Sequence, residues 1–393
     1  MTYLNLILCG GGSKLFSTIG CLKVLQKKKL LSSLKEFIGC SGGNIVNLIL
    51  ILGADIYESY TFSVDLYQNF FKEENTIINL INHCGLIQAH HMRESLEGII
   101  EKYSGSRNIT FQQLYKKYKK NMTCVVTNIN TMKVNYLNYK YCPNFIVSEA
   151  IMASCSLPVI FSPCIFLKVY LSKTSTNSKH LKKNIFYLSK TSTFFIGTFK
   201  NQIIITKDRN QLQKVYFIIY YLKHWILVSV SRNQQDTLNQ KKFNSKSSIL
   251  NIGDQLYFNQ TYYLSVLDEK VYADGGILDN YPIHLSKKLP GETIGIYFEL
   301  EQKIIKRDNS NILYYLRNII TGICDELQYT KIKGFKKNSI CIKLPNHIQS
   351  TDMNPNLDDM KEIIKIGAKT TQKFLKKKEK KVSKKTVGGL FRV

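Results

Sequence analysis

The stretch Glu36-Phe37-Ile38-Gly39-Cys40-Ser41-Gly42-Gly43-Asn44, running on into the apolar residues Ile45 to Leu52, constrains this chain more than any other. A short apolar run, a glycine-flanked serine and a second apolar run of helical length read as strand, sharp turn and helix, with G-x-S-x-G at the turn. A serine on so tight a turn is exposed to substrate, and only small neighbours such as Gly39 and Gly43 fit beside it. The helix that follows aims its free N–H groups and the positive end of its dipole at the serine, where negative charge develops in acyl transfer. Glycine and serine are also common turn residues, so the pattern alone describes an ordinary strand-to-helix turn as well as a nucleophile.

The second piece lies before it. Tyr3 to Cys9 reads as a buried first strand, followed by Gly10-Gly11-Gly12-Ser13-Lys14 and by Phe16, Ile19, Leu22 and Leu25 at helical spacing. Three successive glycines let the backbone approach a ligand and turn several N–H groups toward one anion. A dinucleotide fingerprint needs a third glycine where this chain has Leu15. A phosphate loop needs Gly-Lys-Ser/Thr where it has Ser13-Lys14-Leu15. Both nucleotide readings fail on a residue, which leaves an oxyanion-binding loop formed by Gly10, Gly11 and Gly12.

Together these segments resemble the opening of the patatin-like phospholipases: Gly10-Gly11-Gly12-Ser13-Lys14 with Ile19-Gly20 and Leu22, then Gly39-Cys40-Ser41-Gly42-Gly43. The family's third signature, a late Asp-Gly-Gly, is matched by Tyr272-Ala273-Asp274-Gly275-Gly276-Ile277-Leu278-Asp279-Asn280-Tyr281-Pro282, including the later Asn and Pro. The resemblance implies a three-layer α/β/α domain and a serine acyl hydrolase acting on lipid esters. It implies Ser41 as nucleophile and Asp274 as proton acceptor in a two-residue dyad, with the N–H groups of Gly10, Gly11 and Gly12 as oxyanion hole. Gly39, Gly43, Gly275 and Gly276 are its motif glycines, and no metal or cofactor is needed. Ser148 to Pro158, with Phe161 and Pro163, resembles the helix and proline turn ahead of the catalytic aspartate, where Cys155 is structural. Leu15 departs from the family, which usually has glycine there.

The residues point the same way. An α/β-hydrolase places several strands before its elbow and orders its triad Ser, Asp or Glu, then His; Ser41 comes too early for that. His284 lies ten residues after Asp274 and nothing marks His347 as a triad member. Asp274 then serves as direct base, and burial beside Tyr272 and Ile277 is expected to raise its pKa.

Residues 1–166 read as the first part of the domain and 263–375 as the second. Between them, residues 167–262 form a long insertion ahead of the aspartate motif, roughly 95 residues where ordinary connections are short. The insertion holds a near-repeat, Tyr170 to Thr176 against Tyr187 to Thr193, and apolar pieces at Ile203 to Ile205 and Val215 to Val230 that suit strands or a helix. Helices are expected over Gly53 to Lys72, Met92 to Lys102 and Ile312 to Leu327, a hairpin over Thr123 to Asn138, and strands at Thr293 to Leu300 and Ser339 to Leu344. A final helix carries Leu357, Met360, Ile363, Ile364, Gly367, Phe374 and Leu375 on one face, and residues 376–393 make a basic tail, either merely solvated or attached to a membrane. His83, Cys84, His90 and His91 lack partner carboxylates at ligand spacing and suit surface or packing roles.

Composition narrows the partners. The net charge of +27 favours anionic membrane, nucleic acid or acidic protein. No basic run interleaves with aromatics in a recognisable nucleic-acid module, so nucleic acid is not expected. The ten scattered cysteines, without C-x-x-C, read as reduced thiols. With no basic leader and no long apolar segment, a cytoplasmic protein, peripheral at membranes, is expected. A catalytically silent lipid-binding or scaffold protein that keeps the motifs is the alternative to the hydrolase.

Overall fold

A computed structural model describes residues 2–56, 77–87, 89–173, 262–299, 312–332, 334–345 and 356–389, short stretches between 58 and 65, and the strands between 185 and 258 named below. The expected helix over Gly53 to Lys72 lies largely outside the described residues.

The chain opens with β1 (Tyr3–Leu8), α1 (Leu15–Lys27), β2 (Glu36–Cys40) and α2 (Gly42–Leu52). Then come α3 (Ile77–His83), β3 (Gly85–Ile87), α4 (His90–Ser104), α5 (Phe111–Tyr118), and the hairpin β4 (Asn121–Asn128) and β5 (Lys133–Leu137). Next are α6 (Val147–Cys155), β6 (Val159–Phe161), β7 (Cys164–Lys173) and β8 (Ile185–Ser189). Strands β9 (Phe194–Phe199), β10 (Gln202–Thr206), β11 (Lys214–Tyr221), β12 (His224–Ser229) and β13 (Ser247–Leu250) form an antiparallel sheet of their own. The two apolar pieces of that region are therefore strands. The chain closes with β14 (Gln255–Phe258), β15 (Tyr262–Asp274), α7 (Gly276–Asp279), β16 (Glu292–Phe298), α8 (Ile312–Ile332), β17 (Ser339–Ile342) and α9 (Leu357–Gly389).

The main sheet runs β17-β16-β1-β2-β4-β15-β7-β8, with β5 and β14 paired off this path. Its first five strands are parallel, and β15 runs antiparallel to both β4 and β7. A parallel strand is covered on both faces and reads as a continuous apolar run, as β1 and β2 do. The chain steps from β1 to β2 to β4 in one direction and from β16 to β17 in the other. Right-handed crossovers therefore put α1 and α2 on one face and α8 on the opposite one. α1 packs on α9, and α2 on α4 and α6, while α7 packs on α8. The result is the three-layer α/β/α domain.

α9 reaches further than its apolar face, running on through Lys376 to Lys385 as one helix. Lys378 lays its ammonium over the rings of Tyr3 and Phe374, so part of the basic segment packs on the first strand. α1 and α9 meet at close range because glycine stands at the crossing. A β-carbon on Gly367 would lie 1.9 Å from the Ser17 carbonyl oxygen, and one on Gly20 2.0 Å from that of Ile364. The Cys21 thiol donates to the Gly367 carbonyl at 3.3 Å across the same contact. Gly367→Ala should lower the free energy of unfolding by about 3 kcal/mol, by forcing the helices apart. Gly98→Ala in α4, where an added methyl meets nothing, should instead gain up to about 1 kcal/mol from helix propensity. Urea denaturation of the two variants compares them.

Candidate functional site

Ser41 sits at the carboxyl end of β2, between the strand and the first turn of α2, at φ 50° and ψ −131°. Such a backbone is costly for a residue with a side chain, and it lifts the hydroxyl clear of the sheet. Three contacts hold it there. The Ser41 N–H donates to Ser154 Oγ at 2.9 Å, Asn44 Nδ2 donates to the same oxygen at 2.9 Å, and Ser154 in turn donates to the Val125 carbonyl. Gly43 lets the turn press onto β1, since a β-carbon there would stand 2.7 Å from the Cys9 carbonyl oxygen.

Register brings Asp274 alongside. Cys40 pairs with Val125 of β4, and Val126 pairs with Asp274 of β15, so the ends of β2 and β15 meet across one intervening strand. Ser41 thus stands next to the Asp274 carboxylate and acts on its titration. Asp274 also accepts from the Gly276 N–H at 2.7 Å and the Cys40 thiol at 3.6 Å. Its backbone is pinned by the Ser156 carbonyl, which takes its N–H, and by Thr127, which donates to its carbonyl. The side chain is buried. Burial lifts its pKa from 3.8 to about 6, against the downward pull of the Gly276 and Cys40 hydrogen bonds and of Ser41 nearby.

The glycine loop follows β1 on the other side of Ser41. A β-carbon on Gly10 would lie 2.9 Å from Ser41 Cβ, which measures how near the loop comes. The Gly10 N–H donates to Asn280, at 3.2 Å to its carbonyl and 3.1 Å to Oδ1. The N–H groups of Gly11 and Gly12 have no such partner among the described residues. Asn280 is itself held by Gln328 of α8, whose Oε1 accepts from Asn280 Nδ2 at 2.7 Å while its Nε2 donates to the Phe298 carbonyl at 3.3 Å. Leu15, in the place the family usually gives to glycine, is buried against Gly42.

A small cavity of about 50 Å³ opens beside the pair, lined by His83, Ala89, Met92, Met152, Cys155 and Phe161 among others. Burial pushes the Cys155 thiol well above its ordinary pKa, so it stands there as a neutral group. Arg93 also lines the cavity and is paired with the buried carboxylate of Glu149. Among the described residues, His284 meets Tyr136 at 3.3 Å and Asp279 at 3.8 Å, not Ser41 or Asp274. His347 lies outside the described residues.

The structure thus gathers Ser41, Asp274 and the three loop glycines at one end of the sheet. Ser154 and Gln328, which hold the turn and the loop, carry no motif signal. Ser154 falls inside the Ser148 to Pro158 stretch, but nothing in that stretch singles it out.

Residues 6–172 match the family model Patatin-like phospholipase. Over that stretch the chain is similar to the patatin-like phospholipases. The match covers β1 to β7 and stops short of Asp274, which the sheet returns to the site through the pairing of β15 with β7 and β4. Among curated relatives, protein R571 of Acanthamoeba polyphaga mimivirus is 28% identical over 165 residues, 41% of this chain and 54% of that one. A probable lipid hydrolase, 463L, of Invertebrate iridescent virus 6 is 27% identical over 170 residues, 41% and 56% of the two chains. The chain spans about half the length of these relatives. Among solved structures, VipD from Legionella pneumophila aligns with 95% of this chain and 67% of its own at 13% identity and a TM-score of 0.42. The type III effector ExoU aligns with 96% of this chain and 53% of its own at 10% identity and a TM-score of 0.38. At these scores neither likeness bears on the site.

Burial of the Asp274 carboxylate should be measurable as lost stability. The folded chain releases that proton near pH 6 and the unfolded chain near 3.8, so the folded state is penalised only where the unfolded carboxyl is ionised. Asp274→Asn removes the charge and should stabilise the fold by up to about 3 kcal/mol above pH 6. The gain should fade to nothing as pH falls toward 3.8. Chemical denaturation across that range, wild type against variant, reads it directly.

Proposed function

We propose that the chain is a serine acyl hydrolase acting on lipid esters, with Ser41 and Asp274 as its whole catalytic pair. The observation that carries this reading is the strained serine turn at the end of β2 brought by the sheet register beside a buried carboxylate whose pKa is raised to about 6. An ordinary aspartate is too weak a base to deprotonate a serine, and lifting its pKa toward neutrality while keeping it ionised at pH 7 improves the transfer. Ser41 Oγ attacks the ester carbonyl as its proton passes to Asp274, and the oxyanion forms facing the N–H groups of Gly11 and Gly12. Gly10 braces that loop through Asn280. Collapse expels the alcohol, which takes the proton from Asp274. A water, deprotonated by the same carboxylate, then attacks the acyl-serine, and as the bond to Ser41 breaks, the serine oxygen takes that proton back from Asp274 and the fatty acid leaves. The name of the iridescent-virus relative as a probable lipid hydrolase supports the substrate class.

Ser41→Ala should abolish ester hydrolysis and labelling by a fluorophosphonate probe. Asp274→Asn, which keeps the shape but cannot accept the proton, should lose at least about 10³-fold in kcat, with the double variant little worse than either. His284→Ala should retain most activity. In wild type kcat/KM should fall as pH drops through about 6, where Asp274 takes up its proton. Absence of both hydrolysis and labelling at Ser41 would instead support a silent lipid-binding protein.

We further propose that the lysine-rich end of α9 contacts anionic membrane. Lysines near such a surface contribute about 1 kcal/mol each, screened by salt. Replacing Lys381, Lys384 and Lys385 by Glu should weaken sedimentation with phosphatidylserine vesicles at low salt, and the difference from wild type should vanish at high salt.

A further inference from the structure

Ile81 and Ile78 of α3 are 74% and 65% exposed, the most exposed aliphatic side chains among the described residues. Three apart on one helical turn, they share a face. Asn79 between them turns its amide back to the Leu86 carbonyl at 3.4 Å, tying the helix to the strand that follows. Single exposed apolar residues need no explanation, but the position of this pair gives one.

α3 ends at His83, which lines the cavity beside the nucleophile together with Ala89, Met92, Cys155 and Ser156. Cys155 and Ser156 follow Ser154, whose hydroxyl takes the Ser41 N–H, and the Ser156 carbonyl holds the Asp274 N–H. The strand after α3 pairs with β6, whose Phe161 lines the same cavity. The exposed isoleucines are therefore joined, through one short helix, to a cavity whose wall includes Ser156, the residue that holds Asp274. From Ile77 to Ala89 there is no lysine, arginine, aspartate or glutamate. An uncharged apolar face next to an ester-cleaving site fits a lipid surface, and it offers no cation to a nucleic acid.

We propose that α3 seats Ile78 and Ile81 in the surface of a lipid bilayer and so sets the cavity over an ester chain held there. The inference rests on the acyl-hydrolase reading, and its first test needs no turnover. In the full chain carrying Ser41→Ala, adding Ile78→Asn and Ile81→Asn should cut binding to phosphatidylcholine vesicles by about tenfold or more, equally at low and high salt. With Ser41 intact, the double variant should lose hydrolysis of vesicle-borne ester while hydrolysis of a dissolved short-chain ester persists. If the double variant does not fold, Ile81→Trp keeps the question open to measurement: its added emission should shift to the blue when vesicles are supplied. Unchanged vesicle binding by the double variant, or unshifted emission from Ile81→Trp, overturns the proposal. So does light scattering that shows the two isoleucines joining two copies of the chain. Vesicle binding lost with the isoleucines in a chain that hydrolyses no ester would leave this helix as a lipid contact and remove the hydrolase reading alone.

Discussion

The site depends on a carboxylate kept out of water. Asp274 occupies the last position of β15, beside β4, where strands, turns and a helix enclose it: Thr127 and Ser156 fix its backbone, and Gly276, Cys40 and Ser41 surround its carboxylate. The same burial that weakens the fold makes the carboxylate a better base, because removing water penalises the charged form. The strained backbone at Ser41 adds to that cost. Both are sustained by the core beneath, where β1, β2 and β4 are buried almost throughout.

Two supports of unlike origin keep the reacting groups in register. The elbow is held from below by a small polar group, Ser154, serving Ser41, Asn44 and Val125 at once. The glycine loop is held from the side by Asn280, and Asn280 by Gln328. Buried polar groups of this kind are stabilising only when each finds a partner, and here each partner belongs to a different element. The geometry of the loop is thereby linked to the seating of α8 on the sheet.

The motifs were legible because each is local: a strand, a few glycines and a helix within some tens of residues determine Gly10 to Gly12, Ser41 and the Asp274 turn. The strands and helices around them were legible for the same reason, since apolar alternation and helical spacing are local signals. Gln328 and Ser154 were not, because their value lies in contacts with residues remote in sequence, and glutamine or serine in a helix has no pattern of its own. Cys155 was read as structural from its family position. Its place against Ser41 is a matter of how α6 packs under the elbow. The lysines after Leu375 were read as lying beyond the last helix because the apolar face stops there. Lysine is a good helix former, and the helix continues without that face.

The close crossing of α1 and α9 bears on how the chain is made. Synthesis delivers the elbow before the aspartate, which comes more than two hundred residues later, and the helix that clamps α1 comes later still. Contacts of such separation form late and slowly. A chain emerging from the ribosome therefore carries an exposed serine turn long before it carries a base, and its first helix lacks its packing partner until α9 has been released. The uncovered apolar surface of such a nascent chain makes it a client for chaperones until α9 closes.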